Sequence, residues 1–202
     1  MDTRRLESLT DNVFAVAMTL LVFDLQVPHS TTHQSMGLFV FKQWPHYIGY
    51  CISFVVIALI WLQHHRVFIH LQRLDSTVFV SNIVLMLLVV FLPFSTSTFA
   101  SYLAQNRDQR SASVFFGTVM TAAVVVLAWM WWWIARHETL MHSGTPKEAI
   151  QFLNRRLVLA PSLYFLATVL AIVNATLGVA AYATSTLSLL WLLRPGARVS
   201  NH

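Results

Sequence analysis

Hydrophobic positions in this chain fall into six long runs, at about 9–25, 44–64, 76–102, 111–135, 157–173 and 179–193. Most are 15 or more residues long with little or no charge, too long and too uniformly apolar for the water-facing elements of a soluble domain. The pattern predicts an all-α membrane protein of six transmembrane helices. From Leu157 to Leu193 there is no charge for 37 residues, which as one helix would overshoot a bilayer. Two helices joined by a tight turn near Asn174–Gly178 are therefore predicted. Proline suits the first turn of the second helix at Trp44-Pro45. Pro93 is expected to kink or end the third, and Pro161 marks a place where the fifth could break. The segment Gln26–Lys42 reads as a loop.

The first run differs from the rest. Between Asp11 and Asp24 lie only twelve uncharged residues, short for a helix surrounded by lipid. A helix bounded by carboxylates at both ends of its apolar run should be wrapped by other helices or face water. On a wheel of about 100° per residue, Asn12, Val16, Thr19, Leu20 and Phe23 share one face, and Asp11, Ala15, Met18, Val22 and Leu25 share another. Carboxylates at membrane depth usually pair within the protein, so Asp11 is expected to tie the helix to its neighbours. For the first face, spacing alone leaves ordinary helix packing and an ion path both open. Asp24 reads equally as a cation-concentrating group at an outer mouth or as a solvated helix end.

Composition agrees with the pattern. The 202 residues are 56% hydrophobic and 10% charged, with mean hydropathy +0.62, against roughly a quarter charged in soluble domains. Six spans and short loops use the whole length, so residues 1–202 read as a single transmembrane domain. A net charge of +5 would point to nucleic acid in a soluble protein, but here it reports topology. Arg4, Arg5, Arg66, Arg73, Arg136, Lys147, Arg155, Arg156, Arg194 and Arg198 lie on one side of the predicted spans, and Lys42, Arg107 and Arg110 on the other. Ten against three places both termini in the cytosol of a multi-pass plasma-membrane protein with no nucleic-acid partner. The cluster Trp129, Trp131, Trp132 and Trp133 then reads as an interfacial aromatic belt at the cytosolic end of the fourth span. The start of the chain lacks the features of a cleaved signal peptide.

Candidate chemistry is sparse. Lone Cys51 excludes an intrachain disulfide. His64 and His65 point about 100° apart on a helix, and His70 is off both faces, so no convergent metal site is expected. Neither paired carboxylates nor a nucleophile elbow supports an enzyme. No cofactor is expected.

At this point the residues carry a resemblance. Arg5-x-x-x-Leu9-Thr10-Asp11, followed by NVFAVAMTLLVFDLQVP, resembles the first-helix motif of the transmembrane-protein-175 potassium channel family, Arg-x-x-x-Phe-Ser-Asp and a run like AVFAIAITLLVLEL. Trp61-Leu62-Gln63-His64-His65-Arg66-Val67-Phe68 resembles the family's Trp-x-x-His-His-x-x-Phe, and Phe91-Leu92-Pro93-Phe94-Ser95-Thr96 its third-helix motif. Leu9 for Phe and Thr10 for Ser are the departures, both conservative.

The resemblance implies a modestly potassium-selective cation channel, with potassium ion as the permeant species and four copies of the first helix lining the pore of a homotetramer. It assigns a hydrophobic constriction to Val16, Leu20 and Phe23, a selectivity-related hydroxyl to Thr19, and a structural corner to Arg5, Thr10 and Asp11. His64, His65 and Arg66 are that corner's expected partners, with His65 or Arg66 opposite Asp11. No TVGYG-like stretch occurs, so a carbonyl filter is not expected. The alternatives are a small secondary transporter, for which no internal repeat is visible, and a non-transporting membrane assembly protein.

Overall fold

The computed structural model describes residues 3–25, 36–105 and 108–191, and is nearly all helix. In chain order the helices are α1 (Thr3–Leu20, continued as a 3₁₀ turn Leu21–Asp24), α2 (Met36–Lys42), α3 (Trp44–Ile69), α4 (Ser76–Ala104), α5 (Gln109–Arg136), α6 (Lys147–Val173) and α7 (Ala175–Trp191). Five of them, with α1 counted through Asp24, are long and apolar enough to cross a membrane; α7 is described over 17 residues.

Local chemistry explains the ends. Asp75 caps α4, its Oδ1 accepting the Val78 N–H at 2.8 Å, and Pro45 occupies the first turn of α3. Asn174 alone interrupts the long uncharged stretch: its side chain accepts the N–H groups of Thr176 at 2.8 Å and Leu177 at 3.3 Å and so starts α7. Gly178, expected in the turn, lies inside α7, where a Cβ would come within 2.5 Å of the Ala171 Cβ. Its role is close helix approach, not turn geometry. Gly117 does the same on α5 for Tyr182, whose hydroxyl donates to the Ser113 carbonyl at 3.0 Å.

Three other expectations change. Helices α4 and α6 run through Pro93 and Pro161, so neither proline ends or breaks its helix. Within the expected Gln26–Lys42 loop, residues 36–42 are helical, and 26–35 lie outside the described residues. The helices also extend beyond the apolar runs, α3 by five residues to Ile69 and α6 by ten residues toward its N-terminus. Hydropathy marks the part that suits lipid, whereas the backbone stays helical as long as its hydrogen bonds continue.

Helices α4 to α7 pack each against the next; α7 returns to α3, and α1 lies against α3 and α4. Phe99 stacks on Phe116 with ring centres 4.8 Å apart, and Tyr182 meets Phe116 edge-on at 5.7 Å. The outside is also apolar, with Leu87 on α4 and Val158, Phe165 and Ile172 on α6 exposed, as expected of a surface solvated by acyl chains. At the end of α3, His70, Gln72 and Arg73 hydrogen-bond through their backbones to residues 140 and 142, making a small bridge between two loops.

The tryptophan cluster divides. Trp129 and Trp132 are exposed and stack at 4.8 Å, as a belt would have them. Trp131 is buried and donates to Asn154 at 2.6 Å, and Trp133 donates to Asp75 at 2.8 Å. Trp131 points into the bundle and Trp133, half-buried, reaches the start of α4, and each indole N–H there finds a partner.

Candidate functional site

Helix α1 buries Leu6, Thr10, Phe14, Ala17 and Leu21, steps of three and four residues that make one stripe facing α3 and α4. This stripe is neither of the two faces drawn from the wheel. On the face drawn through Asp11, Ala15 and Val22 are exposed, and Asp11, Met18 and Leu25 are half-buried. Large residues one turn apart, with Thr10 held by hydrogen bonds, win the packing position over that mixed face.

The N-terminal half of α1 is tied by polar contacts. The Thr10 hydroxyl lies 2.8 Å from the Leu6 carbonyl and receives the amide of Asn82 on α4 at 2.8 Å. The Asn82 carbonyl oxygen accepts from His64 Nε2 on α3, also at 2.8 Å, which puts the imidazole proton on Nε2. All three side chains are fully buried, and the His64 ring lies between Phe14 at 5.9 Å and Phe68 at 4.2 Å. Asp11 Oδ1 accepts the indole N–H of Trp61 at 2.9 Å, and Glu7 meets His65 at 3.0 Å. Trp61 and His65 stack at 6.1 Å.

The corner therefore forms from the expected segments with different pairings. Asp11 meets Trp61; His65 is taken by Glu7, and Arg66 turns to α6, its guanidinium 5.4 Å from the Phe152 ring centre. An indole donor satisfies a half-buried carboxylate without bringing a second charge to membrane depth. Arg5 is exposed. Asn82, which links all three helices, was not singled out from the sequence. The signal was there, since an amide at the head of the apolar run Ile83–Phe94 must find partners in the protein. Among the described residues there is no group of three or more His, Cys, Asp or Glu able to hold a metal ion.

The C-terminal half of α1 is different. Val16 is 55% exposed, Leu20 38% and Phe23 81%, and Asn12 and Thr19 are exposed as well. These five residues lie roughly opposite the buried stripe. The Thr19 hydroxyl donates back to the Val16 carbonyl at 2.8 Å, so its oxygen keeps acceptor capacity on the exposed side. Asp24 is half-buried, with Oδ2 buried and lacking a hydrogen-bond partner among the described residues, so it is not a fully solvated helix end.

Apolar helices with a lipid-compatible exterior and an internally hydrogen-bonded polar corner define a multi-pass helical membrane protein. Comparison with known proteins narrows the class. Residues 5–93 match the family model described as Endosomal/lysosomal potassium channel TMEM175. A protein named potassium channel from Streptomyces collinus is 32% identical over 181 residues, covering 90% of this chain and 88% of that one. Another potassium channel, from Chamaesiphon minutus, is 32% identical over 180 residues, covering 88% of each. The crystal structure of a lysosomal potassium-selective channel TMEM175 homolog from the same organism superposes with a TM-score of 0.82 at 28% identity, over 96% of this chain and 98% of that one. This chain belongs to the TMEM175 family, a family of ion channels rather than enzymes.

Proposed function

We propose that the protein is a potassium-selective cation channel of the plasma membrane, assembled as a homotetramer with α1 from each subunit around a central pore. One observation carries this reading: Val16, Leu20 and Phe23 stand exposed on the side of α1 turned away from its own subunit, with Thr19 between them. An apolar strip on a helix held to its subunit by the opposite face fits a surface that meets symmetry copies. Rings of Val16, Leu20 and Phe23 would restrict ions by dewetting, because a bare cation is costly in an apolar tube. A ring of Thr19 oxygens offers partial replacement for hydration water, which favours the more easily dehydrated potassium ion over sodium, and modestly so since no full hydration shell is replaced.

The topology belongs to the same proposal. Helix α7, at 1.5 Å per residue roughly 26 Å long over its described part, is the sixth span, and both termini are cytosolic.

Reconstitution into a planar bilayer with potassium on one side and sodium on the other tests the activity: a reversal potential favouring potassium is expected. Saturable flux coupled to a second ion would replace the channel with a transporter, and a folded oligomer that moves no ion would leave an assembly protein. Leu20→Asp is expected to raise leak or conductance far more than Val22→Asp at equal expression. Both positions are exposed in the subunit, so the currents report which one lines the ion path. Equal effects would remove the pore assignment.

A further inference from the structure

Helices α5 and α6 meet along an open groove of about 820 Å³, far more than the roughly 30 Å³ that one water occupies in the liquid. Val125 and Ala128 on α5 and Val158 and Pro161 on α6 line its apolar length, over a floor that includes the buried Trp131 and Leu157. The bond from the Trp131 indole to Asn154, at 2.6 Å, fixes the register of the two helices. Arg136, at the end of α5, and Asn154, near the start of α6, therefore share the polar end of the groove, and Val125 and Pro161 the apolar one.

One wall of the groove is a stack. The Trp129 and Trp132 rings lie 4.8 Å apart, and the Arg136 guanidinium carbon sits 4.0 Å over the Trp132 ring. Two groups that close cannot share one face, so Trp132 is sandwiched and offers no open face to a quaternary ammonium. The stack holds the guanidinium by its flat side and leaves its N–H edge clear. Arg136 makes no hydrogen bond or ion pair among the described residues. Asn154 gives its carbonyl oxygen to Trp131, and its amide N–H groups meet no acceptor among the described residues. The polar end thus presents donors, one set of them on a cation.

Length and depth identify the occupant. Arg136 closes the uncharged run that follows Arg110, which puts it at headgroup level. From there to Val125 is roughly 16 Å along α5, about half of a hydrocarbon core of roughly 30 Å, so the groove is one leaflet deep. It is built by α5 and α6, whereas α1 packs on α3 and α4, so an assembly around α1 leaves it facing lipid. A free anion would use the donors and leave the apolar length empty. A neutral lipid would fill the length and leave the donors without an acceptor. We propose that this groove binds an anionic phospholipid of the inner leaflet, its phosphate on the Arg136 edge and the Asn154 amide and one acyl chain between α5 and α6. The site rests on the topology and the α1-centred assembly proposed above and makes no use of ion conduction. Its readout is separate from the reversal potential, so either can fail alone.

Thermal unfolding of the purified full chain in detergent tests it, with phosphatidylglycerol, phosphatidylcholine and inorganic phosphate as the added probes. Phosphatidylglycerol is expected to raise Tm by roughly 2–4 °C, and the other two are not. Arg136→Gln, which removes the cation, should lose that shift. So should Val158→Phe, which keeps the cation and fills the apolar length. Two controls should retain it: Arg73→Gln, an exposed cation outside the groove, and Ile172→Phe, a ring added at an exposed position of α6 beyond the groove. A phosphatidylglycerol shift that survives Arg136→Gln or Val158→Phe overturns the proposal, as does an equal loss in either control. An equal shift from phosphatidylcholine overturns the choice of an anionic lipid, and a full shift from inorganic phosphate alone overturns the lipid assignment. Arg136 and Val158 are both exposed; should one variant fail to fold, the other decides the matter by the same readout.

Discussion

The two halves of α1 are built on opposite principles. From Leu6 to Phe14 each inward or sideways polar group has a named partner on another helix: Thr10 with Asn82, Asp11 with Trp61, Glu7 with His65. From Val16 to Phe23 the exposed side carries three large apolar groups and one hydroxyl bonded only to its own helix. Both halves share the single buried stripe that ends at Leu21. Polar side chains at membrane depth are stable only when paired, so they fix orientation. Apolar ones are indifferent to which neighbour covers them, so they can be left for another copy or for an ion path. One helix can thus be immobilised at one end and presented at the other.

The comparison breaks most sharply at Asn82. Asn82→Leu leaves the buried His64 Nε2–H without its acceptor and Thr10 without its donor, at a cost of about 1–3 kcal/mol for each unsatisfied group. Thermal unfolding in detergent should show a large loss of stability, and a variant as stable as the native chain would mean the network holds nothing. Next comes Trp61→Phe, which removes the indole donor to Asp11 and should cost about 1–2 kcal/mol, less than a fully buried charged pair because Asp11 is half-exposed. Asp11→Ala should cost a similar amount, and the double variant little more than either single one. Additive losses would show that the two side chains are not coupled. Asp11→Ala with native stability and wild-type currents would remove its structural role.

The C-terminal half sharpens the contrast from the other side. Phe23→Ser should leave subunit stability within about 0.5 kcal/mol, as surface substitutions usually do, while changing the current. A barrier lowered by only about 1.4 kcal/mol would raise conductance roughly tenfold. A large stability loss with unaltered current would mark Phe23 as a packing residue.

The smallest effect lies at the loop bridge beyond α3. Burial, and secondarily His142, lowers the pKa of His70 below the usual 6.5. The folded chain then binds fewer protons there than the unfolded chain as pH falls below about 6.5, so this contribution to stability is full above that value and declines with acidification. His142→Gln should make unfolding slightly less acid-sensitive between pH 7 and 5, measured by Tm against pH.

Much of this was legible in the residues. Hydropathy runs located the long helices, because excluding charge from a lipid-facing segment is a one-dimensional rule. The motif Trp61 to Phe68 and the run from Arg5 to Asp11 were recognisable as a corner, and the wheel grouped Val16, Thr19, Leu20 and Phe23, which the structure leaves exposed together. A place for them around a pore is what the family resemblance implies. Which donor Asp11 would choose was not legible, because charge complementarity favours His65 or Arg66 when only residue types are known. Nor was the sole break at Asn174 distinguishable from a turn extending to Gly178.

What the sequence determined by itself was a helical membrane chain, the ends of its apolar runs, and the family, since each depends on composition or short local order. The tertiary structure alone decided which stripe of α1 is buried, that Asn82 joins α1 to α3, and that Arg66 and Arg156 share Phe152. Those pairings join residues 18 to 90 positions apart, and the helix rotation that selects them is set by packing of the whole bundle rather than by any one segment.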